Sequence, residues 1–265
     1  MRVAMCQVNS RDDRAANLKV AHGLLTRAAD AGADVAMLPE YVDYLGRSSG
    51  QPAGETTDGE FASFFADAAR ELDIWVHAGS FHEAAPDGRT YNTSLVFDRS
   101  GQLVASYRKI HLFDVEIPGR VAMRESDHFA AGSAVAALEI EGVRFGLTIC
   151  YDLRFPELYR RLAVDEQATV MVVPAAFMAH TGRDHWEVLL RARAIENQCY
   201  VLAAAQIGDH DPNRTCYGRS MVVDPWGTVV AQAPDVVGIT VADLDFTRLE
   251  TIRTQVPSLA NRRLT

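Results

Sequence analysis

The stretch Gly146-Leu147-Thr148-Ile149-Cys150-Tyr151-Asp152 ends an apolar strand with a single cysteine. The residues that follow, Leu153 to Leu158, predict the opening of a helix with Pro156 in its first turn. A thiol at a strand-to-helix turn lies at the edge of a sheet, and the free backbone N–H groups of the turn point toward whatever the thiol attacks. This position favours a nucleophile, although a lone cysteine is more often a buried and inert thiol.

Strands and helices alternate on both sides of this turn. Apolar strands are predicted at Val3 to Val8 and Asp34 to Leu38, and the helix between them is expected to end at Gly32. Hairpin turns are predicted at Asp98 to Gly101, Glu141-Gly142 and Asp224 to Gly227. Further helices are predicted at Glu60 to Leu72, Pro156 to Ala163, Asp184 to Asn197 and Phe246 to Gln255. Because hairpins are mixed with crossover helices, we expect an α/β fold in which two mixed sheets pack face to face with helices outside.

The length and composition of the chain predict a single domain over residues 1–265. The chain has 265 residues and 48% hydrophobic content, which is enough for one large core. A net charge of −9 without a basic cluster argues against a nucleic-acid partner. The sequence contains no run of about 18 apolar residues and no secretory signal, so no membrane partner is expected. The segment Gly46 to Gly59 is interpreted as a loop beside the site rather than as a linker.

Cysteine use predicts a reducing, cytoplasmic location. The cysteines are far apart in the sequence and include no Cys-x-x-Cys pair, so a disulfide framework is not expected. Besides Cys150 they are Cys6, Cys199 and Cys216, which are interpreted as inert thiols.

Metal binding is the competing chemistry. His180 and His185 do not have a common zinc-ligand spacing, and Asp184 followed by Glu187 is better explained as a capping box for the next helix. No glycine-rich phosphate-binding motif occurs either. We therefore expect neither a metal nor a cofactor.

Two charged residues in apolar surroundings provide partners for a cysteine nucleophile. Glu40 follows the apolar strand Val35 to Leu38 and is either a capping or surface acid or, if desolvated there, a general base. Lys109 lies in an apolar and aromatic run, where it either protects an edge strand or supplies a fixed ammonium to an oxyanion. His111 has the same parity as Lys109 and is a candidate for the site, although a structural hydrogen bond is the stronger alternative.

At these residues the chain resembles the nitrilase superfamily of carbon–nitrogen hydrolases. The similarity runs through nearly the whole chain, and three motifs carry it in the family order Glu, Lys, Cys. They are Leu38-Pro39-Glu40, Tyr107-Arg108-Lys109-Ile110-His111 and Cys150-Tyr151-Asp152-Leu153-Arg154-Phe155-Pro156-Glu157. The resemblance implies a four-layer αββα sandwich, a homodimer, a Glu40–Lys109–Cys150 triad, and a second glutamate matched by Glu125.

Within the superfamily, the chain is most similar to the branch of deaminated-glutathione amidase and omega-amidase. Features that favour the former include the segments Val115 to Arg120 and His185 to Glu196 and the loop Asp209 to Cys216. The implied reaction is hydrolysis of a small carboxylated amide through a Cys thioester, with release of ammonia. An N-carbamoyl amino acid hydrolase and a nitrilase remain alternatives, the nitrilase being disfavoured by Tyr151-Asp152 after the cysteine.

Substrate contacts are predicted around the nucleophile. The Tyr151 backbone N–H is expected to help hold the oxyanion. Arg154 either pairs with an acid such as Glu157 or binds a substrate carboxylate with its planar fork, and related carbamoylases favour the second role. Phe177 and Met178 follow a predicted strand and either line the pocket or pack in the core.

Overall fold

Two six-stranded β-sheets form the centre of the protein. The computed structural model describes residues 1–47, 50–117, 121–212 and 214–264. The strands are β1 (Arg2–Gln7), β2 (Val35–Met37), β3 (Trp75–Ala84), β4 (Thr90–Phe97), β5 (Leu103–Arg108), β6 (Asp114–Ile117), β7 (Val121–Arg124), β8 (Ala137–Ile140), β9 (Val143–Leu147), β10 (Val170–Ala175), β11 (Tyr200–Ala205), β12 (Ile207–Asp211), β13 (Arg214–Tyr217), β14 (Met221–Val223), β15 (Val229–Gln232) and β16 (Gly238–Asp243). The helices are α1 (Arg14–Asp30), α2 (Glu60–Leu72), α3 (Pro156–Val164), α4 (Ala179–Asn197) and α5 (Phe246–Gln255).

Both sheets mix parallel and antiparallel pairs. The first has the order β16-β1-β2-β3-β4-β5, with β1, β2 and β3 parallel and the other pairs antiparallel. The second has the order β15-β14-β11-β10-β9-β8, with β9, β10 and β11 parallel. Because parallel strands need crossovers and antiparallel strands need only tight turns, this is the arrangement that mixed hairpins and helices predict.

The alternation of side chains along β1 explains the layers. Val3 and Met5 share a core cluster with Leu147 of β9, whereas the intervening Ala4 shares one with Leu25 of α1. On the other side of the molecule, α3 contacts β9 and α4 contacts β11. The layers therefore run helix, sheet, sheet, helix, and the predicted αββα sandwich is confirmed.

The predicted helix start at Pro156 is confirmed, whereas the helical opening expected at Leu153 and the helix start expected at Asp184 are wrong. The α-helix after the nucleophile begins at Pro156, because a residue before proline avoids the helical region and Phe155 is extended. The preceding residues Cys150–Arg154 form a separate 3-10 turn. Helix α4 begins at Ala179 rather than at Asp184, so the predicted capping box lies inside the helix, where Glu187 pairs with Arg191 instead.

Some sequence features lie outside the described residues. They are residues 118–120 of the segment Val115 to Arg120, residues 48–49 of the loop Gly46 to Gly59, and residue 213 of the loop Asp209 to Cys216. Among the helices that are described, none is both long and apolar enough to span a bilayer.

Candidate active site

The turn after β9 presents Cys150 in a fixed, sterically unusual conformation. Its φ of 45° lies in the left-handed region, which a non-glycine residue adopts only when its surroundings hold it there. The fully buried Asp152 supplies that support. Its carboxylate accepts hydrogen bonds from the Ile149 backbone N–H at 2.9 Å and from the Tyr107 hydroxyl at 2.7 Å. The second Asp152 oxygen accepts the His111 N–H at 3.0 Å.

Glu40 lies just beyond the end of β2 and is buried. Its Oε1 accepts hydrogen bonds from Lys109 Nζ at 2.9 Å and from Asn92 Nδ2 at 2.8 Å. Its Oε2 accepts one from the Ala176 backbone N–H at 2.8 Å, at the end of β10. Three donors therefore fix this carboxylate, and they come from both sheets.

Gly79 lets strand β3 approach the peptide that precedes Glu40. It has a φ of 69°, and a Cβ added there would lie 2.0 Å from the Pro39 carbonyl oxygen. Because a larger residue would displace this backbone, glycine is required to place Glu40.

Lys109 joins two carboxylates. It follows β5, and its Nζ lies 2.9 Å from Glu40 Oε1 and 2.9 Å from Glu125 Oε2. Glu125 also accepts hydrogen bonds from the Tyr41 hydroxyl and the Phe113 backbone N–H. All three charged groups are buried, so each depends on the others for charge compensation.

The charges of this cluster determine its protonation. Burial acts to lower the pKa of Lys109, but the charges of Glu125 and Glu40 outweigh it and leave the pKa raised. Burial acts to raise the pKa of Glu125, but Lys109 and the hydrogen-bond donors leave it lowered. The cluster is therefore an ammonium with an ionised Glu125 at neutral pH.

The Cys150 thiol is in its neutral form at neutral pH. Burial raises its pKa well above the ordinary value, and the charge of Glu40 and a hydrogen bond to Glu40 raise it further. Lys109 opposes this shift without reversing it. A thiol of this kind needs a base to become nucleophilic, and Glu40 is the carboxylate in contact with it.

A cavity of about 280 Å³ opens onto Glu40, Lys109 and Cys150. Its lining includes the predicted residues Tyr151, Arg154, Phe177 and Met178 together with Glu40, Lys109, Glu125 and Cys150. The Arg154 guanidinium lies 5.0 Å above the Phe177 ring, and its Nη1 is 3.2 Å from His185 Nδ1. Within the described residues, Arg154 has no ion pair, with Glu157 or any other acid.

The structure does not bring His111 to the cavity, as far as the described residues define its lining. Its Nδ1 lies 2.7 Å from Asp152 Oδ1, and its ring stacks on Phe155 at 3.7 Å. The extended run ends at Arg108, so the parity argument that placed His111 beside Lys109 fails. The structural hydrogen bond that was its alternative is the contact observed.

Several residues of the site have no clear sequence signal. Asn92 is the third residue of β4 and donates hydrogen bonds to both Glu40 and Glu125, the latter at 3.4 Å. The polar run Asn92-Thr93-Ser94 inside an apolar strand is the sequence feature that points to this position.

Within the described ranges, no group of three or more His, Cys, Asp or Glu residues is placed to hold a metal ion.

Comparisons with known proteins identify the family of this chain. Residues 2–254 match the carbon-nitrogen hydrolase family. The chain is 44% identical to the deaminated glutathione amidase of Rattus norvegicus, over 98% of this chain and 82% of that protein. The crystal structure of the Caenorhabditis elegans NitFhit protein is 41% identical with a TM-score of 0.92, over 99% of this chain but only 65% of that one.

A third relative is informative about the cysteine. A variant of the amidase from Nesterenkonia sp. AN1 is 26% identical with a TM-score of 0.80, over 97% of this chain and 98% of that one. Its structure shows the result of Michael addition of acrylamide at the active-site cysteine. The predicted nitrilase-superfamily resemblance is thus confirmed, and the chain belongs to the carbon-nitrogen hydrolase family as an enzyme of the amidase type.

Proposed function

We propose that this chain hydrolyses the amide bond of a small carboxylated amide through a thioester on Cys150. The observation that carries the proposal is the convergence of Glu40, Lys109 and Cys150 at one buried end of the cavity. A neutral thiol, an adjacent carboxylate and a buried ammonium are the groups that acyl transfer from an amide needs.

In the first half of the reaction, Glu40 takes the Cys150 proton as the sulfur bonds to the amide carbonyl carbon. The Lys109 ammonium and the Tyr151 backbone N–H hold the oxyanion, and one such donor lowers the barrier by roughly 2.7–4 kcal/mol. Glu40 then gives its proton to the amide nitrogen as the C–N bond breaks. The amine leaves, and the acyl group remains on sulfur as a thioester.

In the second half, water attacks the thioester carbonyl while Glu40 accepts a proton from it. The tetrahedral adduct collapses with cleavage of the C–S bond, the proton passes to Cys150 sulfur, and the carboxylic acid leaves. Glu125 supports this cycle by holding Lys109 in place at 2.9 Å.

The substrate class follows from Arg154 and from the relatives named deaminated glutathione amidase. Arg154 lines the cavity and has no carboxylate partner among the residues that the structure describes, so its guanidinium is suited to bind a substrate carboxylate. Our preferred substrate resembles deaminated glutathione, whose amides are secondary, so the released group would be an amine. Ammonia would be released only from a primary amide such as 2-oxoglutaramate, the alternative substrate.

Mass spectrometry of a trapped acyl adduct tests the proposal directly. Candidate amides are mixed with the enzyme, the reaction is stopped in acid, and the peptide that contains Cys150 is weighed. We expect a mass increase equal to the acyl group. Turnover of an amide with the acyl group on any other residue contradicts the proposal.

Glu40→Gln is expected to lower amide hydrolysis by about 10²–10⁴-fold, the usual contribution of a general base. The same change is expected to lower the pKa of Cys150, because the charge of Glu40 raises that pKa and the opposing charge of Lys109 remains. The rate of alkylation by iodoacetamide should therefore rise at a lower pH than in the wild type. Hydrolysis at the wild-type rate would remove the base assignment.

Arg154→Lys is expected to raise KM for a carboxylated amide by about tenfold or more, since a hydrogen bond to a charged group is worth roughly 1.5–3 kcal/mol. Thiol alkylation by neutral iodoacetamide should stay unchanged, because within the described residues no hydrogen bond or ion pair joins Arg154 to Glu40, Lys109 or Cys150. Steady-state kinetics measure KM, and mass spectrometry measures the extent of thiol alkylation. An unchanged KM would assign Arg154 a structural role.

We further propose a homodimer located in the cytoplasm. The free cysteines are all buried, which suits a reducing compartment. Val188 and Ile195 on α4 are exposed on one helix face, and Trp226 and Val256 nearby are exposed as well. Light scattering is expected to give twice the chain mass, and Ile195→Glu to lower it; a wild-type monomer contradicts the dimer.

A further inference from the structure

Gln206 is a fully buried residue that directly follows β11. Its Nε2 donates hydrogen bonds to Ser10 Oγ at 2.8 Å and to the Glu40 carbonyl oxygen at 2.9 Å, with a longer one to the Tyr41 carbonyl oxygen at 3.4 Å. Its Oε1 accepts a hydrogen bond from the Ser10 backbone N–H at 2.9 Å. This side chain therefore joins the second sheet to the segments that follow β1 and β2 of the first sheet.

The backbone of Gln206 holds Glu40 by a second route. Its N–H donates to the Ala175 carbonyl oxygen at 2.8 Å, and the N–H of the same peptide unit, on Ala176, donates to Glu40 Oε2 at 2.8 Å. The main chain of Glu40 is thus bound to the side chain of Gln206, and the side chain of Glu40 is bound, through one peptide, to the main chain of Gln206. The result is a closed ring of hydrogen bonds around Glu40.

The Ala176 N–H connects this ring to the thiol. Burial and the charge of Glu40 raise the pKa of Cys150, and a hydrogen bond from the Ala176 N–H acts in the opposite direction. The carboxylate and the thiol therefore share one backbone donor, and Gln206 holds the other side of that peptide. Any movement of the peptide changes the distance between the two reacting groups.

We propose that Gln206 is a positioning residue, which fixes the Glu40 carboxylate against Cys150 by holding both the Glu40 carbonyl and the Ala175–Ala176 peptide. This inference rests on the proposed function, since it assigns the residue that orients the general base of that reaction. Gln206 is not among the described residues that line the cavity, so it acts through Glu40 rather than on the substrate. Its amide suits this role because it supplies donors to buried carbonyl oxygens that would otherwise lack them.

Gln7 provides a matched control at the end of β1, where it is also fully buried. Its Nε2 donates to the carbonyl oxygens of Pro234 and Val236 at 2.7 and 2.9 Å, and its Oε1 accepts a hydrogen bond from the Ser220 backbone N–H at 2.9 Å. This is the hydrogen-bond pattern of Gln206, but none of these partners belongs to the proposed triad. Loss of either amide therefore has a similar structural cost, and only one of the two losses reaches the base.

Gln206→Met keeps the length of the side chain and removes its hydrogen bonds. We expect kcat for deaminated glutathione, or for 2-oxoglutaramate if that is the amide hydrolysed, to fall by about 10²-fold, because a misplacement of about 1 Å at a catalytic group costs that much. KM should stay at its wild-type value, since the residue lies outside the cavity lining. Gln7→Met is expected to lower the midpoint of thermal unfolding by a similar amount and to keep its kcat.

The pH dependence of Cys150 alkylation by iodoacetamide tests the same role without turnover. Because burial and the charge of Glu40 raise the pKa of Cys150, a carboxylate that has moved away from the thiol should let alkylation begin at a lower pH. Gln206→Met is therefore expected to shift the profile in the same direction as Glu40→Gln, and Gln7→Met to leave it at the wild-type position. Mass spectrometry of the peptide that contains Cys150 measures the extent of reaction at each pH.

Gln206→Glu tests the donor to Glu40 by itself and keeps the shape of the side chain if Gln206→Met fails to fold. The introduced carboxyl is buried beside the negative charge of Glu40, so its pKa lies above the ordinary value of about 4.3. Its protonated form donates a hydrogen bond to the Glu40 carbonyl oxygen, and its ionised form has no donor. The ratio of its kcat to that of the wild type at the same pH should therefore rise as the pH falls, whereas the ratio for Gln206→Met should stay low.

The inference is overturned if Gln206→Met and Gln7→Met change kcat alike, or if KM rises in Gln206→Met while kcat holds. A Gln206→Glu variant whose kcat ratio does not recover at low pH overturns it as well. If the wild type hydrolyses neither amide, the proposed function fails, and a shifted alkylation profile in Gln206→Met but not in Gln7→Met keeps the positioning role. Hydrolysis through Cys150 combined with an unshifted profile in Gln206→Met keeps the proposed function and overturns the inference.

Discussion

Cys150→Ala is expected to abolish amide hydrolysis, with a fall in kcat on the order of 10⁴-fold or more, because the proposed acyl intermediate forms on the sulfur that this change removes. The folded state should change little, since the substitution removes one sulfur that faces the cavity. Steady-state kinetics with a sensitive product assay measure the loss, and thermal unfolding measures the stability.

Cys199→Ala is the matched control for Cys150→Ala. Cys199 is also a free, fully buried cysteine, but it lies in the core beside α4, and its Sγ is 3.8 Å from the Arg193 carbonyl oxygen. This variant is expected to lose stability through a small core cavity while keeping its turnover. Undiminished turnover in Cys150→Ala would end the thioester mechanism.

Lys109→Met is expected to lower both activity and stability. Removal of the ammonium leaves Glu40 and Glu125 buried without their cation, and breaking a buried ion pair in this way costs about 3–5 kcal/mol. The missing oxyanion donor should lower kcat by a further 10²–10³-fold, about the cost of one such donor. Denaturant unfolding and steady-state kinetics measure the two effects separately.

The stability loss in Lys109→Met should depend on pH with a defined sign. In the wild type, the lowered pKa of Glu125 contributes stability above its unfolded pKa, which disappears as the pH falls through the folded pKa. The raised pKa of Lys109 contributes stability below its unfolded pKa, which disappears only at very high pH. The stabilisation from the Lys109–Glu125 pair is therefore complete between about pH 5 and 10. The loss of unfolding free energy in Lys109→Met should become smaller as the pH falls and Glu125 is protonated.

The double variant Lys109→Met/Glu125→Gln separates the two roles of the ammonium. Loss of one negative charge together with the cation should recover part of the unfolding free energy. Turnover should stay low, because the oxyanion still lacks its donor. Recovery of turnover together with stability would show that Lys109 acts only as a structural counter-charge.

The residues of the proposed triad stand out in the sequence because each of them follows or interrupts an apolar segment. Glu40, Lys109 and Cys150 interrupt or follow buried runs, where a charged or reactive group is unusual. The two mixed sheets could be predicted because hairpin turns and helix periodicity are local signals. Glu141 and Gly142, for example, both have positive φ, as the predicted tight hairpin requires.

The supporting contacts of the site could not be predicted in the same way. The Ala176 N–H that fixes Glu40 has no side-chain signature, and Asp152 looked like part of a motif rather than a buried acceptor. Tyr41 reaches Glu125 across 84 residues of sequence, a contact that only the tertiary fold creates. The start of α4 was missed because Asp184 and Glu187 reproduce a capping pattern inside a helix.

The groups of the proposed triad are divided between the two sheets, so assembly of the site depends on packing of one sheet against the other. Glu40 and Lys109 extend from one sheet, while Cys150 and the Ala176 N–H extend from the other. Neither sheet carries the whole proposed set of groups, so regained turnover is expected to mark the docking of the two sheets during refolding. Recovery of hydrolysis after dilution from denaturant should therefore lag behind the return of helical circular dichroism.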